Sequence, residues 1–102
     1  MIHNSLHHFL PQIIEILKRH KIRSAYLFGS VVTEKFNTNS DIDLLVNIDK
    51  NLDPVDAGEH LWDIAEEIEN LLNRKIDLLT ESALKNPFFI KEINHTKIKI
   101  YG

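Results

Sequence analysis

The sequence predicts a small α/β domain, a sheet of three to four strands flanked by helices, and three observations carry that prediction. Apolar residues change period along the chain, from steps of three to four residues to steps of two and back again. The length of 102 residues lies near the modal domain size, so residues 1–102 read as a single domain. A composition of 43% hydrophobic and 26% charged residues is that of a globular chain rather than a disordered or membrane one.

The elements follow in order. Leu6, Phe9, Leu10, Ile13, Ile14 and Leu17 form a helical apolar stripe that stops before His20 and Lys21. Pro11 within it either kinks the helix or marks its first turn, because proline lacks the N–H of an interior position. Ser24-Ala25-Tyr26-Leu27-Phe28 is short and aromatic-rich and stops at Gly29-Ser30, the pattern of a buried strand running into a tight turn. The polar segment from Thr33 to Ser40 reads as a loop. From Asp41 to Ile48 a second strand places Asp41, Asp43 and Leu45 on one face and the apolar Ile42, Leu44, Val46 and Ile48 on the other.

Asp53-Pro54-Val55-Asp56 is a helix start, with an Asp cap, proline at the first helical position and an acid near the positive end of the dipole. Val55, Leu61, Trp62, Ala65, Ile68, Leu71 and Leu72 are the expected core-facing stripe of that helix, which ends at Asn73 and Arg74. Lys75 to Thr80 is a third strand and Asn86 to Ile93 a short helix. Lys97 to Tyr101 closes the chain as an edge strand whose lysines discourage edge-to-edge pairing. There is no internal repeat and no linker composition to cut the chain.

Charge and cysteine content narrow the chemistry. The net charge of −3 does not favour long nucleic acids, which are bound by clustered Lys and Arg. With no cysteine there are no disulfides, thiolate zinc sites or cysteine nucleophiles, so any metal sits on oxygen or imidazole. The first thirty residues lack the features of a signal peptide and no run approaches the roughly 20 apolar residues of a spanning helix, so a cytoplasmic protein with no membrane partner is expected. The six histidines show no ligand spacing with one another, and no serine sits in a Gly-x-Ser-x-Gly turn. From Asp53 to Leu72 there are seven acids and no Lys or Arg. Glu59, Asp63 and Glu67 repeat like charge at four-residue steps, which costs the helix a few tenths of a kcal/mol per pair. That face is either solvated or the surface for a basic partner.

Two patterns carry chemistry. Asp41 and Asp43 stand at i and i+2 on one strand face, close enough that both stay ionised comfortably only beside a cation. Mg²⁺ suits them, since it takes one or two carboxylates and completes its shell with water and substrate phosphates. Asp77 lies in Ile76-Asp77-Leu78-Leu79, a repeat of Ile42-Asp43-Leu44-Leu45, and a neighbouring strand in register adds a third carboxylate. Gly29-Ser30 is the other half: glycine lets backbone approach a phosphate, and serine at a helix start offers hydroxyl and N–H donors.

Gly29-Ser30, then ten residues, then Asp41-x-Asp43 resembles the signature of the polymerase-beta-like nucleotidyltransferases, and the short length resembles their minimal branch, the antitoxins of HEPN/MNT toxin–antitoxin pairs. The likeness spans from about Ser24 to Tyr101. It implies the fold of that superfamily, with a mixed sheet, and two Mg²⁺ ions held by Asp41, Asp43 and Asp77, which are also the catalytic residues. It implies nucleotide binding, usually of ATP, through Gly29 and Ser30 with Asp41 and Asp43; Lys35 and Ser40 are read as further nucleotide-binding residues. It further implies an acceptor tyrosine on a helical HEPN-class RNase toxin, while the sequence leaves open whether the protein forms a homo- or hetero-oligomer.

One departure stands out. Relatives commonly follow Gly-Ser with an Arg-Ala-Arg-Gly-like stretch, whereas Val31-Val32-Thr33-Glu34-Lys35 has no arginine, which leaves Lys35 as the nearby phosphate ligand. A second reading therefore stands beside the enzyme: a catalytically weak or inactive module that neutralises a toxin by contact.

Overall fold

Across residues 4–33 and 40–102, which a computed structural model of the protein describes, helices and strands alternate. The order is α1 (Asn4–His7), α2 (Leu10–Arg19), β1 (Ile22–Phe28), a 3-10 turn (Gly29–Val32), β2 (Ile42–Ile48), α3 (Pro54–Leu72) and β3 (Ile76–Thr80). A second 3-10 turn (Glu81–Ala83), α4 (Pro87–Thr96) and β4 (Ile98–Tyr101) complete it. The strands form one mixed sheet in the order β3-β2-β1-β4. β1 pairs antiparallel with β2 and β4, while β2 and β3 are parallel. A parallel neighbour needs a long crossover, and α3 supplies it.

The apolar face of β2 does what its alternation predicts. Ile42, Leu44 and Val46 are buried in the main core with Ile13 and Leu17 of α2 and Ile64 and Ile68 of α3. The opposite face is not left to the aspartates alone, because Leu45 packs with Phe28 and with Ile93 of α4 in a second, smaller core.

The helices depart from expectation in two places. The first stripe is divided between α1 and α2, and Pro11 sits in the first turn of α2, where its missing N–H is harmless. On α3, Val55 and Trp62 are not core residues: they are 68% and 73% exposed, and Ile64 is buried instead. The geometry explains the reversal. Ile64 and Ile68 centre the buried stripe, and Trp62 lies two residues from Ile64, about 200° around the helix.

The start of α3 is as expected. Asp53 Oδ1 accepts the N–H of Val55 at 2.9 Å, Pro54 opens the helix, and Asn73 ends it in a left-handed conformation, φ 54°. Asp53→Ala removes that cap and is expected to lower stability by about 1 kcal/mol in chemical denaturation. An unchanged midpoint would show that the cap is dispensable. Among the described residues no helix is long and apolar enough to cross a membrane.

Candidate active site

Three strand ends meet at one end of the sheet. The register sets Phe28 opposite Asp43 across β1 and β2, and Asp43 opposite Asp77 across β2 and β3. Gly29 follows Phe28 directly, so the glycine turn, Asp43 and Asp77 stand in line across three adjacent strands. Asp43 is in the middle.

The contact between turn and carboxylate is close. Gly29 has φ +74°, in the left-handed region that glycine enters at little cost. A Cβ there would collide with Asp43 Oδ2 and lie 3.1 Å from its Cγ. Asp43 thus fills the space that any other residue's side chain would take. After Gly29-Ser30 the chain turns inward: the Ser30 carbonyl accepts both the N–H and the hydroxyl of Thr33, each at 3.0 Å. Val31 and Val32 are buried, which explains locally why arginine is absent at those two positions. Lys35 and the rest of 34–39, including Asn37, Thr38 and Asn39, lie outside the described residues.

Burial, first, and then the Asp77 carboxylate beside it push the Asp43 carboxyl up to about 6, with Asp41 adding to the effect. Asp41 itself lies one residue ahead of β2. The carbonyl of the residue before it, Ser40, accepts from Arg74 Nη1 at 2.9 Å, and the N–H of the residue after it, Ile42, donates to the Lys75 carbonyl at 3.0 Å. The Lys75 ammonium stands 4.0 Å from Asp41 Oδ2 and 4.0 Å from Asp77 Oδ1. The structure therefore brings Asp43 and Asp77 together as a pair, and Asp41 joins them through Lys75. Among the described residues no three His, Asp or Glu side chains converge as a metal-ligand cluster.

Three further residues belong to this region without having been singled out in the sequence. Lys75 had a readable signal: it is two residues before Asp77, so strand alternation puts both on one face. Phe28 and Phe89 did not. Phe89 comes from α4, far along the chain, and meets Phe28 edge to face with centroids 6.3 Å apart. With Asp43, Asp77 and Leu79 they line an open concavity of about 480 Å³.

Comparison with known proteins points the same way. Residues 11–102 match the family model described as polymerase beta, nucleotidyltransferase. MJ1379 of Methanocaldococcus jannaschii, a protein named as a protein adenylyltransferase, is 34% identical over 99 residues, covering 89% of this chain and 97% of its own. MJ1217 of the same organism, named likewise, is 31% identical with the same coverage. Among solved structures, a toxin–antitoxin crystal structure with AMP-PNP contains a chain with the same fold, at a TM-score of 0.72 and 24% identity over 91% of this chain and 73% of that one. A minimal nucleotidyltransferase structure matches with a TM-score of 0.69 and 24% identity over 96% of this chain and 95% of that one. A Shewanella oneidensis complex of a tri-AMPylated HEPN toxin with an MNT antitoxin gives 0.67 at 21% identity, over 94% and 71%.

Proposed function

Because the chain belongs to the polymerase beta nucleotidyltransferase family, we propose that it transfers AMP from ATP to a hydroxyl on a partner protein, a tyrosine of a HEPN-type toxin, and so acts as that toxin's antitoxin. The observation that carries this reading is the line Gly29, Asp43, Asp77 across β1, β2 and β3. It sets a phosphate-binding turn on one side of a central carboxylate and a second carboxylate on the other. Relatives named as protein adenylyltransferases support the reaction class, and fold neighbours that are toxin–antitoxin complexes support the partner.

In the reaction the acceptor oxygen attacks the α-phosphorus of ATP, a new P–O bond forms, the bond to the β-phosphate's bridging oxygen breaks, and pyrophosphate leaves. The acceptor gives up its proton. Gly29 and Ser30 bring backbone N–H groups to the phosphates without a side chain in the way. Asp77, on the far side of Asp43 from that turn, orients the acceptor hydroxyl and receives its proton directly or through water. The concavity walled by Phe28 and Phe89 opens beside these carboxylates and is apolar enough to seat a phenol ring.

The donor set suits Mg²⁺: Asp43 and Asp77 offer hard oxygens side by side, and Asp41 is joined to them by a lysine that a divalent ion would displace. Bound there, Mg²⁺ supplies charge neutralisation of the triphosphate and a lowered acceptor pKa.

Exposed Trp62 and Val55 beside the acids of α3 favour a contact surface for a basic partner, whether or not transfer occurs. Incubation with α-labelled ATP, Mg²⁺ and the helical protein of the adjacent gene is expected to label that protein on tyrosine. Absence of label, with toxin neutralisation surviving loss of all three aspartates, would favour a module acting by contact alone.

A further inference from the structure

Away from the carboxylates, where α2 meets α3, stands a cluster that the proposed reaction does not use. His20 is the residue that ends α2, and His60 and Glu67 lie on the stripe of α3 shared with Ile64 and Ile68. His20 Nε2 lies 2.5 Å from Glu67 Oε2, and the other oxygen of Glu67 accepts from Arg19 at 2.8 Å. The Arg19 hydrogen bond, foremost, holds the Glu67 carboxyl below its ordinary range. An ionised carboxylate only accepts, so the proton of a neutral His20 sits on Nε2 and its Nδ1 carries a lone pair. That nitrogen faces His60 Nδ1 at 3.0 Å, with the two rings edge to face at 73°. The His20 side chain is only 12% exposed, so the arrangement is packed in place rather than drifting in solvent.

We propose that His20 Nδ1 and His60 Nδ1 bind one divalent ion of the zinc class, with Glu67 fixing His20 as an outer carboxylate. Two Zn–N bonds at a tetrahedral angle put their nitrogens ~3.3 Å apart, a few tenths of an ångström beyond the present separation. A carboxylate on the far nitrogen of a ligating imidazole is the usual support for such a ligand, since it sets the tautomer and raises basicity. Binding needs no net release of a proton from a neutral pair: the proton between the two Nδ1 atoms moves to His60 Nε2. Glu67 approaches from behind His20, so it is not a third ligand, and water fills the remaining positions. Imidazole separates this site from the Mg²⁺ site, because Mg²⁺ prefers hard oxygen. The ion would tie the end of α2 to the middle of α3, clamping two helices that pack on the same face of the sheet.

The test uses the full chain carrying Asp43→Asn, in excess Mg²⁺, titrated with Zn²⁺ by calorimetry and with Co²⁺ by visible absorption. One ion per chain is expected, with Tm raised by about 5 °C at saturating Zn²⁺. His60→Gln is expected to remove the binding, and Glu67→Gln to weaken it about 10- to 100-fold. Zn²⁺ is also expected to shift the ring ¹⁵N resonances of His20 and His60 and not those of the other histidines, in the wild-type chain as well, a reading that does not depend on the histidine and glutamate variants folding. No saturable binding at millimolar Zn²⁺, undiminished binding in His60→Gln, or shifts confined to other histidines would overturn the proposal. So would a zinc-dependent dimer in sedimentation whose binding is lost with a surface histidine.

Discussion

Asp43→Asn is expected to abolish adenylate transfer and, in the same protein, to raise the melting temperature. The loss follows from removing the central carboxylate: electrostatic stabilisation of several kcal/mol goes with it, and each 1.4 kcal/mol is tenfold, so kcat falls about 10³-fold. The gain follows from the raised pKa. A carboxyl at about 6 in the fold, against the ordinary aspartate value of 3.8, binds more protons folded than unfolded between those values. Folding stability therefore falls as pH rises through that window, and above it the folded state bears the full cost of an ionised Asp43 beside Asp77. Discounted for partial exposure, that is about 1–2 kcal/mol. Asparagine carries no charge and can donate to Asp77. In EDTA at pH 7.5 its Tm should exceed wild type by about 5–10 °C, and the gap should close toward pH 4. A gap that is the same at both pH values would refute the electrostatic account, and a labelling rate near wild type would remove Asp43 from the mechanism.

Gly29→Ala is the second large effect. Alanine at φ +74° costs about 1–2 kcal/mol by itself, and the new methyl group takes the place of Asp43 Oδ2, so the carboxylate must turn away. Misplacing a reacting group by an ångström costs about 10²-fold in rate. Steady-state kinetics should show that loss mainly in kcat, with Tm lowered as well. Gly58→Ala is the control. Nothing lies within 4 Å of a Cβ there, and it sits inside α3, so it should leave activity unchanged and gain about 0.5–1 kcal/mol of stability. Equal activity in the two variants would mean that the Gly29 contact has no part in transfer.

Much of this was legible because Asp43 and Asp77 sit on strands. The repeat of Ile-Asp-Leu-Leu at 42–45 and 76–79 anticipates the register that pairs Asp43 with Asp77, since period two ties each Asp to its apolar neighbours. Asp53-Pro54 named its own helix start for an equally local reason. What escaped depends on where helix faces point. Hydrophobicity alone places Trp62 in the core, although its position relative to Ile64 turns it outward. Glu67 counted among the solvated or partner-facing acids, yet it is paired with Arg19 and His20. Glu69 likewise accepts the N–H of Ile76 at 2.9 Å. His20 and His60 have no ligand spacing in the chain, because their contact is made by helix packing and no sequence period records it.

The parallel ladder between β2 and β3 has a consequence for how the molecule comes into being. β1 and β2 form an antiparallel pair, so a chain emerging from the ribosome can close the Gly29–Asp43 contact once both have been made. Asp77 arrives only after the whole of α3, and β3 must then find β2 across that crossover. Pairings of this kind are the slow ones, because loop closure precedes any gain from the contact. The Gly29–Asp43 contact is thus available early, and the Asp43–Asp77 pair is completed last. A nascent chain that has not yet reached β3 can set Gly29 against Asp43 well before the carboxylate pair exists.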